Sequence, residues 1–499
     1  MSTTEDRVAA LAHGGRAMRW DRWAALGALL VAALAWLAGP RPTDLSGQST
    51  GDAQLGARVR ALAGDTTGYR GLAVAYVTGG TVRVAGVGDD GNGERVGADT
   101  RFEIGSIGKP LTGMLLADMV RAGTVRADEP LRDLLPDVDF EDPDTAATTA
   151  EELASHRSGL PGVRITGPVQ GLRTGLSTLG GTDPYAGADT EWLLSTVGSA
   201  SAPGGEQDVG YSNYGMAVLG QALAVRAGVP YPRLLQQRVL GPLGMADTGY
   251  ALPAPHAQGF TAGGRAVDPW RGSGYAPSGV GAWSTAADLA KLVAATMAGT
   301  APGADAADPR FDAGGGERIG YGWFTEPDGI TWHNGGTGGF SAYAGFDRAA
   351  GRGVVVLSNT DRSVDDLGRR LLGAEPEEGG FDVRAAVRAG VTVFLSLAGA
   401  LGLFSVVRHP GADRLRLVSN AAWAVAMPVL AYAVGTWQSV PPLVWAVGAG
   451  LTAYTAIRAG RRWPSVPLNG RTRLRWLRWT TTAVSVALAV ALVTWAVIL

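Results

Sequence analysis

Ser106-Ile107-Gly108-Lys109 is the only S-x-x-K stretch in a chain of 499 residues, and Pro110 follows it at once. Proline is accepted in the first turn of a helix and breaks an interior, so a helix must begin close to Ser106. Residues three apart share a helical face, which brings the Lys109 amine within reach of the Ser106 hydroxyl. Serine is a weak nucleophile until a base takes its proton, and a lysine at its ordinary pKa of ~10.4 is already protonated. Burial or a positive neighbour must therefore lower Lys109 if the pair is to serve as nucleophile and base. The bland alternative is a chance motif with a solvated lysine. Against it, lysine occurs only at Lys109 and Lys291, the remaining Lys/Arg positions all being arginine. Lys291 lies in a helical pattern over 285–294 and is expected at the surface.

Other chemistries lose ground on composition. Cysteine is absent, which removes thiol nucleophiles, thiolate metal sites and disulfides. The five histidines, His13, His156, His256, His333 and His409, nowhere take the short spacing of a zinc helix, so no metal or organic cofactor is expected. The 43 basic and 45 acidic residues give a net charge of −2 without a basic field of the kind that binds nucleic acid, which is an unexpected partner here. A Ser-His-Asp arrangement would need His156 or His256 near Ser106. His256 lies in a Pro-rich loop and His156 in a block expected to be structural, so both are expected to be non-catalytic.

The segment FEIGSIGKPLTG resembles the active-site block of the serine β-lactamase and penicillin-recognising hydrolase family, in its class C and esterase-like branch. Five further blocks follow in that family's order: ELASHRSGLPG at 152–162, PGGEQDVGYSNYGMAVLG at 203–220, RVLGPLGMADTGY at 238–250, APSGVGAWSTAADLAKL at 276–292 and WHNGGTGGF at 332–340. The resemblance covers the middle of the chain and none of its apolar tail. It implies that Ser106 is the acylated serine and Lys109 its partner. Tyr211-Ser212-Asn213 stands for the family's Y-x-N element, with Tyr211 passing a proton to the leaving group and Asn213 bonding Lys109 or a substrate amide. His333-Asn334-Gly335 stands where the family's K-T-G runs along a strand beside the serine, and the amides of Ser106 and Gly336 would form the oxyanion hole. His333 departs from that pattern: a lysine gives a permanent charge for a substrate carboxylate, whereas histidine is mostly neutral near pH 7. The departure moves the expectation from penicillin hydrolysis towards esters or peptides.

The elements that must position these groups read as α+β, a β-lactamase/transpeptidase-like domain with an antiparallel sheet and a helical subdomain. Residues 71–78 and 81–88 alternate apolar and polar residues around Gly79-Gly80, a two-residue hairpin signal, and 340–347 with 353–359 repeat it. Helical patterns at 109–122 and 213–227 end at Gly123 and Gly228, where left-handed caps belong. The catalytic domain is expected over 51–375, between linkers at 40–50 and 376–388. Loops such as 163–190, which must shape the pocket, carry no readable motif.

The ends of the chain read as membrane segments. Residues 23–39 are uncharged and follow Arg16, Arg19 and Arg22, as in a signal anchor with 1–22 in the cytoplasm; Ala33 and Ala35 leave a cleaved signal peptide as the competing reading. Four spans are expected at 389–407, 417–437, 440–457 and 479–499. Arginines cluster at 408–416 and 458–478, so those loops are expected inside and the catalytic domain outside. No span carries an interior charge, which disfavours a transporter and favours an anchor in the lipid bilayer. The whole reads as a multi-pass cell-membrane serine hydrolase acting on a small-molecule or peptide substrate at the cell surface, of carboxypeptidase or esterase type. A true β-lactamase is second, and a binding sensor that has lost turnover is third.

Overall fold

The computed structural model describes residues 22–205, 207–375, 383–469 and 475–499. The chain divides into two compact units, Thr43–Gly379 and a second formed by Met1–Pro42 with Gly380–Leu499. Most of the expected cytoplasmic segment 1–22, with Arg16 and Arg19, lies outside the described residues, as do linker residues 376–382 and Arg471 and Arg473.

Nine strands of the first unit form one antiparallel sheet: β1 Ser49–Gly51, β2 Gly71–Thr78, β3 Thr81–Gly88, β4 Phe311–Gly314, β5 Glu317–Ile319, β6 Phe324–Thr325, β7 Ile330–Gly336, β8 Ser341–Asp347 and β9 Arg352–Ser358. Their spatial order is β1-β3-β2-β9-β8-β7-β6-β5-β4, so the two hairpins expected from the sequence meet where β9 pairs with β2. Thr78 pairs with Thr81 across Gly79 and Gly80, both at positive φ, the backbone a type I′ turn requires.

The sequence reading of β2 needs a correction. Its alternation is between large and small apolar residues, because the central strand is covered on both faces. Leu72, Val74 and Tyr76 pack with α1 (Ala53–Ala63) and α5 (Asp365–Leu372), while Ala73, Ala75 and Val77 join the larger core on the other side. That core holds α2 (Gly108–Arg121), α3 (Asn213–Ala227) and α4 (Ala286–Met297). Both expected helices are present, with Gly123 and Gly228 left-handed at their ends.

In the second unit α6 (Val383–Arg408), α7 (Arg414–Val434), α8 (Leu443–Arg462) and α9 (Arg475–Ile498) follow a shorter apolar helix, Arg22–Ala38. Among the described residues three helices are long and apolar enough to cross a membrane, Ala385–Arg408, Arg414–Val434 and Arg475–Ile498. The fourth expected span, at 440–457, falls in α8, which is long enough but trades apolar bulk for small residues. A Cβ on Gly448 would lie 2.0 Å from the Ser396 carbonyl oxygen, and one on Gly450 would lie 2.9 Å from that of Ala28. Close backbone approach of this kind is how helices associate in lipid, and it leaves little for a hydropathy criterion to detect.

Candidate active site

Ser106 sits in a single 3₁₀ turn, Gly105–Ile107, that runs directly into α2. Lys109 is one turn on, its side chain fully buried, with Nζ 2.7 Å from Ser106 Oγ and 2.9 Å from the Ser278 carbonyl oxygen. Among the described residues Lys109 has no ion-pair partner. Desolvation therefore acts unopposed and holds the amine well below its ordinary range. A neutral amine has a lone pair, so the Ser106 hydroxyl can donate to it and lose its proton as it attacks.

Tyr211 completes the approach to the serine. Its hydroxyl donates to Ser106 Oγ at 2.8 Å, and Lys109 Nζ lies 4.7 Å from the centre of its ring. The residue is 45% exposed, so one side of it faces solvent. Burial of the phenol end pushes its pKa up to about 12, against which the Ser106 hydrogen bond works only in part. Tyr211 is thus a neutral proton donor at rest, suited to protonating a leaving group.

Asn213 does not take the expected place on Lys109. It opens α3, and its Nδ2 donates to Tyr185 OH at 2.8 Å. The proton network consists instead of Ser106, Lys109, Tyr211 and the Ser278 carbonyl. Ser278 lies inside the quoted block 276–292, but a backbone acceptor leaves no side-chain signature.

β7 carries His333, Asn334, Gly335 and Gly336 past the serine. A Cβ on Gly335 would stand 1.9 Å from the Ile104 carbonyl oxygen and 3.2 Å from Ser106 N, and one on Gly105 would stand 2.8 Å from Gly336 N. Only glycine permits this approach, and Gly105 needs it twice over because its φ is +50°. The backbones that carry the Ser106 and Gly336 amides therefore lie against one another, as the two halves of an oxyanion hole must.

His333 is buried, and its Nδ1 donates to the Asn334 carbonyl at 2.5 Å, which leaves Nε2 with a lone pair and no partner among the described residues. Burial and the nearby Lys109 push its pKa down to about 3, so it presents a neutral acceptor where a lysine would present a cation. On the opposite face of the strand, Asn334 Nδ2 donates to Asp365 at 2.7 Å and ties β7 to α5.

Two residues do more at the site than the sequence reading gave them. Glu103, in the short ladder 102–103 with 283–284, is buried and receives the Thr337 hydroxyl and the Trp270 amide, each at 2.9 Å. It links the chain just before the nucleophile to the residue just after Gly336, and burial raises its pKa to about 8. His156, expected to be structural, is buried beside Tyr211 at a ring separation of 4.6 Å. Its φ of +58° makes it the only left-handed non-glycine among the described residues, a conformation costing about 1–2 kcal/mol. His256 packs against Trp283 with the rings tilted by 52°, and Lys291 lies on α4 in an ion pair with Asp288. A cavity of about 930 Å³ lined by Gln221, Tyr231 and Tyr250 has none of the Ser106 group on its wall, so volume and chemistry are separate here.

Comparisons with known proteins bear on the family and the fold. Residues 56–376 match the family described as Beta-lactamase. A D-alanyl-D-alanine-carboxypeptidase/endopeptidase of Escherichia coli, AmpH, is 27% identical over 227 residues, covering 45% of this chain and 56% of that enzyme. A beta-lactamase of Pseudomonas fluorescens is 25% identical over 335 residues, covering 58% of this chain and 88% of the relative. The chain spans about half the length of the first curated relatives it matches. In fold, it is similar to the Beta-Lactamase/D-Alanine Carboxypeptidase of Pseudomonas syringae, with a TM-score of 0.54 at 21% identity over 65% of this chain and all of that one. With the family's match covering well over half of its residues, the chain belongs to the beta-lactamase family of serine hydrolases.

Proposed function

We propose that this protein is a membrane-anchored, extracytoplasmic hydrolase that works through an acyl-enzyme on Ser106. The observation that carries the reading is the convergence of a buried Lys109, without an ion-pair partner among the described residues, and a neutral Tyr211 on one hydroxyl, at 2.7 and 2.8 Å. Ser106 Oγ bonds to the substrate carbonyl carbon as its proton passes to Lys109 Nζ, and the Ser106 and Gly336 amides hold the oxyanion. The C–O or C–N bond to the leaving group then breaks as Tyr211 delivers a proton to it, drawing on the one held by Lys109. Water attacks the ester, gives a proton back through the same pair and frees the acid.

Esters or D-amino-acid peptides are the leading substrates. A neutral His333 offers a lone pair rather than a charge, and a carboxypeptidase is among the relatives. The three long apolar helices support a multi-pass anchor. Arginines at 408–416 and 458–478 favour those ends inside and the catalytic unit outside. The test is turnover by the purified full chain on ester, D-alanyl peptide and β-lactam panels beside Ser106→Ala. Ester or D-peptide hydrolysis lost in the variant supports the reading. Faster β-lactam turnover moves the substrate class, and stable acylation without turnover marks a sensor.

A further inference from the structure

Three contacts converge on Tyr211 from one residue outside the proton network. The amide of Gly210, on one side of Tyr211, donates to the His156 carbonyl at 2.8 Å. The amide of Ser212, on the other side, donates to His156 Nδ1 at 3.2 Å. Between them the two rings pack at 4.6 Å, tilted by 42°. Such a bracket needs the carbonyl and ring of His156 turned towards the same segment, and its backbone does so in the left-handed region, at φ +58°. Because Nδ1 accepts an amide hydrogen, the imidazole is the neutral tautomer with its proton on Nε2.

We infer that His156 is the positioning residue for Tyr211, holding the phenol against Ser106 and setting the rate of acylation through it. Tyr211 needs such support because its partly exposed ring has solvent on one side and because a loss of even 1 Å at a proton-transfer contact is costly. The inference rests on the acyl-enzyme reading for its kinetic expression but not for its geometry. Histidine serves where other residues fail: leucine keeps bulk without an acceptor, and alanine keeps neither. Asparagine tolerates the backbone and places a neutral oxygen where Nδ1 stands.

The experiment measures the second-order rate of Ser106 labelling by a fluorophosphonate on the full chain, for His156→Leu and His156→Asn, each with Tyr211 and with Tyr211→Phe. Thermal melting checks that each variant is folded. A positioning role gives a fall of ~10- to 100-fold for His156→Leu, at or below the lower end of the ~10²- to 10⁴-fold that a lost general acid–base contact costs, because Tyr211 is displaced and not removed. It also gives less than about a twofold further fall in the Tyr211→Phe background and recovery of most of the rate with asparagine. An equal loss in both backgrounds overturns it, since His156 would then act elsewhere, and so does a wild-type rate for His156→Leu. If wild-type Ser106 takes no label, the acyl-enzyme reading is what fails. The crystal structure of His156→Leu then decides: Tyr211 OH beyond hydrogen-bond reach of Ser106 supports the bracket, and an unmoved hydroxyl overturns it.

Discussion

The two lysines of this chain occupy regions built on opposite principles. Around Lys291 a buried carboxylate, Asp288, meets a half-exposed amine at 2.7 Å, and Asp288 also accepts the Asp247 amide and the Thr248 hydroxyl. Charge there is compensated by charge. Around Lys109 the chain buries an amine fully and gives it a hydroxyl and a carbonyl, and it buries Glu103 nearby with a hydroxyl and an amide. Neither group has a counter-ion among the described residues, so each is pushed towards its neutral form, one into a base and one into a weak acid. What differs is what the neighbours offer, and it separates a structural lysine from one that can do chemistry.

The largest effect that sharpens this contrast is at Lys109. Replacing it by alanine or arginine removes the proposed base, arginine because its guanidinium stays protonated, and Ser106 acylation should fall by at least ~10³-fold. Lys291→Ala should leave the acylation rate within about twofold, since its amine bonds Asp288 and the Gly244 carbonyl and none of the Ser106 group. Tyr211→Phe is next, with an expected loss of ~10²-fold in single-turnover acylation, KM moving far less. A turnover rate equal to the parent's would remove its role as proton donor.

Glu103 gives a third comparison, read as stability against pH. An acid whose folded pKa is raised stabilises the fold fully below its unfolded pKa, near 4.5, and loses that contribution as pH rises through its folded value of about 8. The melting temperature should fall by several degrees between those limits, and Glu103→Gln should flatten that slope. A slope unchanged in the variant would mean that the carboxyl is not the group titrating. The smallest effect is the stability cost of Lys291→Ala, about 1 kcal/mol by denaturant midpoint, because the amine is half exposed and the buried Asp288 keeps the Asp247 amide and the Thr248 hydroxyl.

Much of this was legible from residues alone where one short-range rule decided the outcome. Pro110 fixed the start of α2, Gly79-Gly80 fixed the first hairpin, and S-x-x-K with scarce lysine pointed to Ser106 and Lys109. Long-range geometry was less legible. Nothing in Asn213 says that its amide turns to Tyr185, and the Ser278 carbonyl has no signature at all. His156 carried a signal that only the backbone discloses, since a left-handed φ at a non-glycine residue has no sequence mark. In the apolar tail, α8 reads as a span by its lack of interior charge, and its glycines bring it close to neighbouring helices. The strands β4 to β6 are too short for any periodicity to show.

The most direct measurement is the pH dependence of fluorophosphonate labelling, with the modified peptide mapped by mass spectrometry, in the parent chain and in Lys109→Ala. A neutral lysine base gives modification at Ser106 alone, a rate that reaches its plateau well below pH 10.5, and no label in the variant. Labelling of another serine, a rate still climbing at the pH of an ordinary lysine, or equal labelling of Lys109→Ala would contradict the central role of that buried amine.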